Sequence, residues 1–412
     1  MLPRKCIPLA VLLVFLVSHA QAQYVQQGSK LVGSGSITAS QGWSVALSAD
    51  GNTAIVGGPH DGFPSLGSAW VFTRANGVWS QQGPKLVGSG IVGNAFSGVN
   101  AGTAVALSGD GNTAIVGGYG DNNNQGAAWV FTRSGTVWSQ QGAKLTGSGT
   151  AGTFADFGTS VALSADGNTA VVGGFNDNNG LGAAWVFTRS NGAWTQAGGK
   201  LVGSGSVGQS YQGHSVAISG DGNTAIVGGY GDNLYTGAAW VYTSSGGAWS
   251  QQGGKLTGSA STQGSLQGFS VALSSDGNTA IVGGYGDNGN IGAAWAYSRA
   301  NGVWSQQGNK LAASDAAGAA RQGSSVSLSG DGNIAVVGGP SDGGNPGAIW
   351  VYKRSNVAWS QQGGKLNGGG ANLAVVPDGY GFGQGWYLDG ERSQEPVGLC
   401  SKRHRRSCWR CR

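Results

Sequence analysis

The chain has 412 residues with 81 Gly, 15 Trp and only 10% charged residues; such an excess of glycine over the usual ~7% would fit low-complexity disorder, were the tryptophans not spaced in a strict repeat. The formal charge of +5 sits at the ends. Arg4 and Lys5 lie in the first 22 residues, and residues 387–412 hold seven Lys/Arg against three Asp/Glu, which leaves 14 basic and 15 acidic residues in 23–386. That near-neutral stretch argues against electrostatic capture of nucleic acid or of an anionic membrane, and the lack of cysteine between Gln23 and Leu399 excludes a disulfide framework there.

In chain order, Arg4 and Lys5 precede an apolar run from Ile7 to Val17 and then Ala20-Gln21-Ala22. This is the pattern of a secretory leader, residues 1–22, cleaved near Ala22. No later segment approaches the roughly 20 consecutive apolar residues that span a bilayer. The mature chain is therefore expected to be secreted or held at the cell surface, without a membrane span and as a monomer.

Residues 24–35 read Tyr-Val-Gln-Gln-Gly-Ser-Lys-Leu-Val-Gly-Ser-Gly, a segment that returns later as the end of each repeat. The repeat is marked by Asp-Gly-Asn at Asp50, Asp110, Asp166, Asp221, Asp276 and Asp331, at intervals of 60, 56, 55, 55 and 55. In the fourth copy, Ser215 to Ser219 is a β-prone run, Gly220-Asp221-Gly222-Asn223 is turn chemistry, and Thr224 to Val227 is a second run. Gly228-Gly229 and a polar loop follow. A third strand spans 237–243, where Ala239 and Val241 alternate with Trp240 and Tyr242, and a fourth contains Trp249 and ends near Leu256.

Four short strands per unit with tight Gly/Asn turns predict an all-β fold, a β-propeller of four-stranded blades, with the unit's surplus length in loops. A β-solenoid is the competing architecture. Residues 24–35 supply a fourth strand before any first strand has appeared, so the C-terminal part of 23–386 is expected to supply the other three. This predicts a seven-bladed design: six full repeats, the N-terminal closing strand and a degraded last blade. Closure of that kind removes exposed strand edges.

Each repeat carries two tryptophans nine residues apart: Trp70 and Trp79, Trp129 and Trp138, Trp185 and Trp194, Trp240 and Trp249, Trp295 and Trp304, Trp350 and Trp359. Recurrence at one place in all six copies marks them as packing groups between blades rather than a sugar platform. The Asp-Gly-Asn aspartates read as turn formers. A second recurrent aspartate follows the Gly-Gly pair, at Asp61, Asp121, Asp177, Asp232, Asp287 and Asp342, in the loop that differs most between copies. Variable loops on a rigid scaffold are where recognition residues concentrate, so these six are the candidate ligand-binding rim, with Asx-type loop closure as the competing role.

The constellation resembles the FG-GAP repeat family, in its bacterial exported and integrin-α-like form. Phe157-Gly158 before Ser160-Val161-Ala162 is similar to the family's opening Phe-Gly and first strand, Gly57-Gly58-Pro59 and Gly338-Gly339-Pro340 to its Gly-Ala-Pro, and Gly126 to Phe131 to its third strand. The resemblance implies a propeller. It also raises calcium, which in integrin-type blades sits in the first hairpin. Calcium needs six to eight oxygen ligands, and that hairpin here holds a single carboxylate, so no cofactor is expected; the weak alternative is a calcium site at Asp121, Asn122 and Asn123.

No catalytic set stands out: His60 and His214 are isolated and glutamate is absent from 23–386. The expected function is a non-catalytic binding or adhesion module whose variable loops recognise an extracellular protein or carbohydrate. An exported hydrolase acting on carbohydrate and a purely structural surface protein are the alternatives. In the tail, residues 387–412, the repeat vanishes and Cys400, His404, Cys408 and Cys411 appear at a poor spacing for zinc. An out-of-frame ending after Trp386 would produce such a tail.

Overall fold

The computed structural model describes residues 27–93 and 98–367. Within them the chain winds six times through the same four-stranded antiparallel meander, each strand pairing with the next in sequence. In the first copy the strands are Ser44–Leu47, Thr53–Gly58, Ser68–Ala75 and Val78–Gln81. The inner strands of successive blades, Ser44–Leu47, Ala104–Leu107, Ser160–Leu163, Ser215–Ile218, Ser270–Leu273 and Ser325–Leu328, pack side by side in that order. This is a β-propeller of four-stranded blades.

Wherever two blades face one another the facing sides of their sheets are buried, because the core lies between blades rather than inside one. In blade four, Trp240 and Tyr242 join the cluster shared with blade three, which includes Val171, Ala184 and Val186. Ala239 and Val241, pointing the other way by the two-residue period of a strand, join the cluster shared with blade five. The inner tryptophans Trp70, Trp129, Trp185, Trp240, Trp295 and Trp350 are all fully buried. Glycine is required where the linker passes over them: a Cβ at Gly203 would lie 2.1 Å from Trp240 Cδ1. The outer tryptophans are partly exposed, and five of the six, from Trp79 to Trp359, lie beneath an arginine of the same blade, 5.4–5.8 Å from ring centre to guanidinium carbon.

Two ends can be distinguished. At the lower end sit the hairpins joining strands one to two and three to four. At the upper end sit the loops joining strands two to three and the linkers that bring the chain to each inner strand. Backbone hydrogen bonds stitch one lower hairpin to the next, from Ala49 N–H to the Gly109 carbonyl and onward through Ala165, Gly220 and Ser275 to the Gly330 carbonyl, each 2.8–3.0 Å.

The described residues form six blades, where the sequence led us to expect seven, and the difference has a simple origin. Six copies of the full strand sequence exist, and residues 368–386, on which the partial seventh blade was placed, lie outside the described residues, as do 1–26 and the tail 387–412. Among the described residues the ring is correspondingly open. The inner strand of blade six makes no packing with that of blade one comparable to the five other junctions. Leu47, on the flank of blade one, is 59% exposed, whereas its counterpart Leu107 is 8% exposed. Residues 27–35 form no strand, having no described strand to pair with, yet they keep the contacts of a fourth strand. Arg74 Nη1 donates to Gln27 Oε1 (2.8 Å), as Arg133 does to Gln82 and Arg299 to Gln252 (3.1 Å each) of the preceding blade.

Candidate functional site

The upper end is built by two features of each repeat. The second strand finishes at Gly-Gly, and the next residue turns outward into the loop; the linker from the previous blade arrives opposite it and enters the inner strand. Register places the two side by side, with Ser215 opposite Gly228 in blade four.

The loop aspartates stand beneath this surface. Asp61, Asp121, Asp177, Asp232, Asp287 and Asp342 are each no more than 2% exposed. Each pairs with the lysine four residues beyond its own fourth strand: Lys85, Lys144, Lys200, Lys255, Lys310 and Lys365. The other carboxylate oxygen accepts a backbone N–H from the incoming linker, as Asp177 Oδ1 does from Ala151 (2.7 Å). Each aspartate thus ties the entry of a blade to its exit, which is the loop-closing role in a stronger form than an Asx turn. At Asp61 burial pushes the carboxyl up, but hydrogen bonds from Lys85, Ser68 and the Ile37 N–H outweigh it and hold the group below its ordinary range.

The same geometry bears on calcium. Asp121 Oδ1 accepts from Val92 N–H (2.7 Å) and its Oδ2 takes the Lys144 ammonium, so a fixed cation already faces this carboxylate. Asn122 and Asn123 follow in left-handed conformation, φ 49° and 54°, on the exposed loop. Among the described residues no group of three or more His, Cys, Asp or Glu is placed to hold a metal.

In the lower hairpins Asp50 accepts from Ser48 Oγ (2.5 Å), Asn52 N–H (2.9 Å) and Asn52 Nδ2 (3.0 Å). These bonds to the ionised form hold its carboxyl down at about 2. The same three-residue network recurs at Asp110, Asp166, Asp221, Asp276 and Asp331. Its oxygens face the turn itself.

Sequence reasoning passed over what lies above the aspartates. The residues after Gly-Gly are Pro59, Tyr119, Phe175, Tyr230, Tyr285 and Pro340. Phe175, Tyr230 and Tyr285, partly exposed, join with linker and loop residues into one continuous strip of rings over blades three to five. Phe175 meets Tyr211 edge-on (6.1 Å between centres); Tyr211 stacks on Tyr230 (5.1 Å, 15° between planes); Tyr230 reaches Tyr235 (6.3 Å) and Phe269 (5.9 Å); Phe269 meets Tyr285 (4.6 Å). Arg321 lies over Tyr285 at 5.8 Å. The floor is His214, fully buried among Phe175, Tyr230 and Phe269. Its Nδ1 is 3.1 Å from the Phe269 carbonyl, which can only accept, so Nδ1 carries the proton. Burial drives the His214 imidazole well below its ordinary range despite that bond, so it is neutral. At the other end Asp156, beneath the Asn176 amide that donates to it, is pushed up to about 6 by burial.

Among the described residues no helix is long and apolar enough to cross a membrane. No curated protein matches the sequence. Two solved structures share the fold: a putative 6-phosphogluconolactonase from Bacteroides uniformis, 14% identical, TM-score 0.54, with 79% of this chain and 85% of that one covered; and a functionally unknown protein from Desulfotomaculum acetoxidans, 10% identical, TM-score 0.51, with 85% and 90% covered. At such identities the likeness is one of fold alone. Residues 304–352, from the outer tryptophan of blade five to the third strand of blade six, match the FG-GAP repeat. The same four-stranded unit recurs through all six described blades, and the chain is a β-propeller that carries an FG-GAP repeat.

Proposed function

We propose that this protein is an exported, non-catalytic binding or adhesion module that holds an extracellular ligand on the upper end of a propeller of seven-bladed design. The observation that carries this reading is the contrast in side-chain use at that end. The six aspartates turn inward and close the blades, which leaves the residues that differ between copies, among them Phe63, Leu234 and Tyr235, to face outward at 91%, 72% and 49% exposure. Exposed apolar groups clustered on a rigid scaffold are a mark of interaction surfaces. The open junction between blades six and one, and the fourth-strand contacts kept by Gln27, support a seventh blade closed by residues 24–35. Charge neutrality of 23–386 speaks for a protein or carbohydrate partner over nucleic acid. The lysines seated on the loop aspartates speak for a fold that needs no calcium.

The test is to present the purified protein to immobilised extracellular proteins and polysaccharides and to assay each polysaccharide for cleavage. Saturable binding without cleavage, weakened by Tyr235→Ala, is the expected result. Cleavage of a bound polysaccharide would overturn the non-catalytic reading, and binding that ignores upper-end substitutions would overturn the assignment of the face. Thermal unfolding with and without a chelator is expected to give one melting temperature.

A further inference from the structure

We propose that the aromatic strip over blades three to five binds an uncharged oligosaccharide, with sugar rings lying on Tyr211, Tyr230, Tyr235 and Tyr285. The proposal rests on the upper-end binding reading and gives its ligand a chemical class. Three observations lead to it.

The first is the continuity of the strip. Its rings follow one another at 4.6–6.3 Å across three blades, partly exposed and not sealed into the core. An aromatic face carries negative charge density and binds weakly positive C–H groups. A pyranose offers such a face of C–H bonds, and successive sugars of a chain offer one after another. On this end the equivalent position is an aromatic residue in blades two to five and a proline at both flanks, Pro59 in blade one and Pro340 in blade six, so aromatic rings occupy part of the ring only.

The second is the rim. Gln209, Asn178, Asn179, Asn233, Asn288 and Asn290 are exposed around the strip. Amides donate and accept at once, as does a sugar hydroxyl. The loop carboxylates that could give this rim a charge, Asp177, Asp232 and Asp287, are buried and paired with lysine. Beneath the rings His214 is neutral, and Asp156 and Arg321 sit at opposite ends. A neutral ligand matches this charge pattern better than a polyanion does.

The third concerns the backbone. A peptide bound in extended form draws its affinity from free main-chain groups at a sheet edge. Here the main chain beside the strip is used in joining blades: Tyr211 N–H donates to the Gly180 carbonyl, Gln212 to Leu181, Leu266 to Tyr235 and Gln267 to Thr236, at 2.9–3.1 Å. The strip runs across strand ends and offers side-chain faces, which suits a ligand read by its rings and hydroxyls.

The experiment is a titration of the purified protein with cello-, xylo-, chito- and manno-oligosaccharides, with a heparin oligosaccharide as the charged control, followed by saturation-transfer NMR and calorimetry. One neutral series is expected to bind. Tyr235→Ala and Tyr230→Leu, the latter keeping apolar bulk without a π face, are each expected to weaken it about tenfold, which is about 1.4 kcal/mol. Val137→Ala, 66% exposed at the lower end, is expected to leave affinity unchanged. Unaltered melting of Tyr235→Ala, whose side chain is 49% exposed, would show that its loss is not unfolding. The proposal is overturned if no neutral oligosaccharide binds, if heparin binds more tightly than all of them, or if both tyrosine variants bind as the parent does. Should the tyrosine variants instead abolish binding of a purified extracellular protein while no sugar binds, the carbohydrate class falls and the upper-end binding reading stands. Should no ligand depend on that end, both fall.

Discussion

The lower and upper ends of the propeller are made from the same repeat and have gone different ways. At the lower end, Ser-x-Asp-Gly-Asn builds one network six times over, and each hairpin passes a backbone hydrogen bond to the next. At the upper end the buried part is just as regular, six Asp–Lys pairs, but the layer above it changes from blade to blade. Regularity in this molecule therefore follows closure and packing, and departures from it collect on one outward layer. Within the upper end the boundary between the two runs between neighbouring residues, as between Asp232, fully buried, and Tyr235, 49% exposed.

The largest effect is expected where the regular layer is broken from one side. Lys200→Ala leaves Asp177 at 0% exposure with its charge uncompensated. Because the lysine is partly exposed, the loss should be at the low end for a broken buried pair, about 2 to 3 kcal/mol. Denaturant unfolding measures it, and the double variant Lys200→Met with Asp177→Leu should recover part of the loss. A loss under about 0.5 kcal/mol would show that the pair is as weak as a surface ion pair.

Asp156 offers the opposite sign. Its carboxyl is pushed up to about 6 from an ordinary 3.8 by burial. Between those values the folded protein holds a proton that the unfolded chain has released, so stability falls as pH rises from about 4 to 6. Asp156→Asn, which can still accept from Asn176 and tolerates the positive φ at this position, should flatten that slope and leave the protein at pH 7 more stable by at most about 3 kcal/mol. Melting curves of both proteins at pH 4 and pH 7 decide it; an equal difference at the two values would remove the carboxyl as the cause. A gain of this kind would mark Asp156 as kept at a cost beside the strip.

How much of this was legible in the sequence depends on the range of the contact. Strands and lower hairpins are local: Asp221-Gly222-Asn223 forms its turn from residues within five of one another, and the alternation of Ala239 and Val241 with Trp240 and Tyr242 maps directly onto the two inter-blade clusters. The inward turn of Asp177 was not legible, because its partner Lys200 lies 23 residues away across two strands. Phe175, Tyr230 and Tyr285 do recur with the repeat, 55 residues apart, but Tyr211 and Phe269, which join them into a strip, come from different places in successive linkers and have no period to reveal them. One long-range contact does leave a trace. Arg189 reaches Gln141 of the preceding blade, and at the next junction both are gone together, with Ala197 and Ser244 in their places.

At the lower end, Ser219→Ala removes the hydroxyl that donates to Asp221 and accepts from Thr224 N–H (2.9 Å), at a fully buried position. The expected loss is about 1 kcal/mol, the usual net worth of such a bond with some penalty for the orphaned N–H. Ser108→Ala and Ser274→Ala should cost the same within error if the lower end is as uniform in energy as in geometry. Unequal losses would show that closure is not shared evenly around the ring.

The smallest effect is expected in the variable layer, and there its smallness carries the meaning. Tyr235 extends from a loop whose closure is secured by Asp232 and Lys255 below it, and its own main chain is in left-handed conformation at φ 64°. Tyr235→Asn places there a residue that adopts this conformation more readily, while removing a ring that is 49% exposed and lies 6.3 Å from Tyr230 between centres. Stability should therefore move by no more than about 0.5 kcal/mol in either direction, the range of surface changes away from structural features. A loss of 2 kcal/mol or more would place Tyr235 in the closing layer with the aspartates and take from the upper end the division of labour on which the proposed recognition face rests.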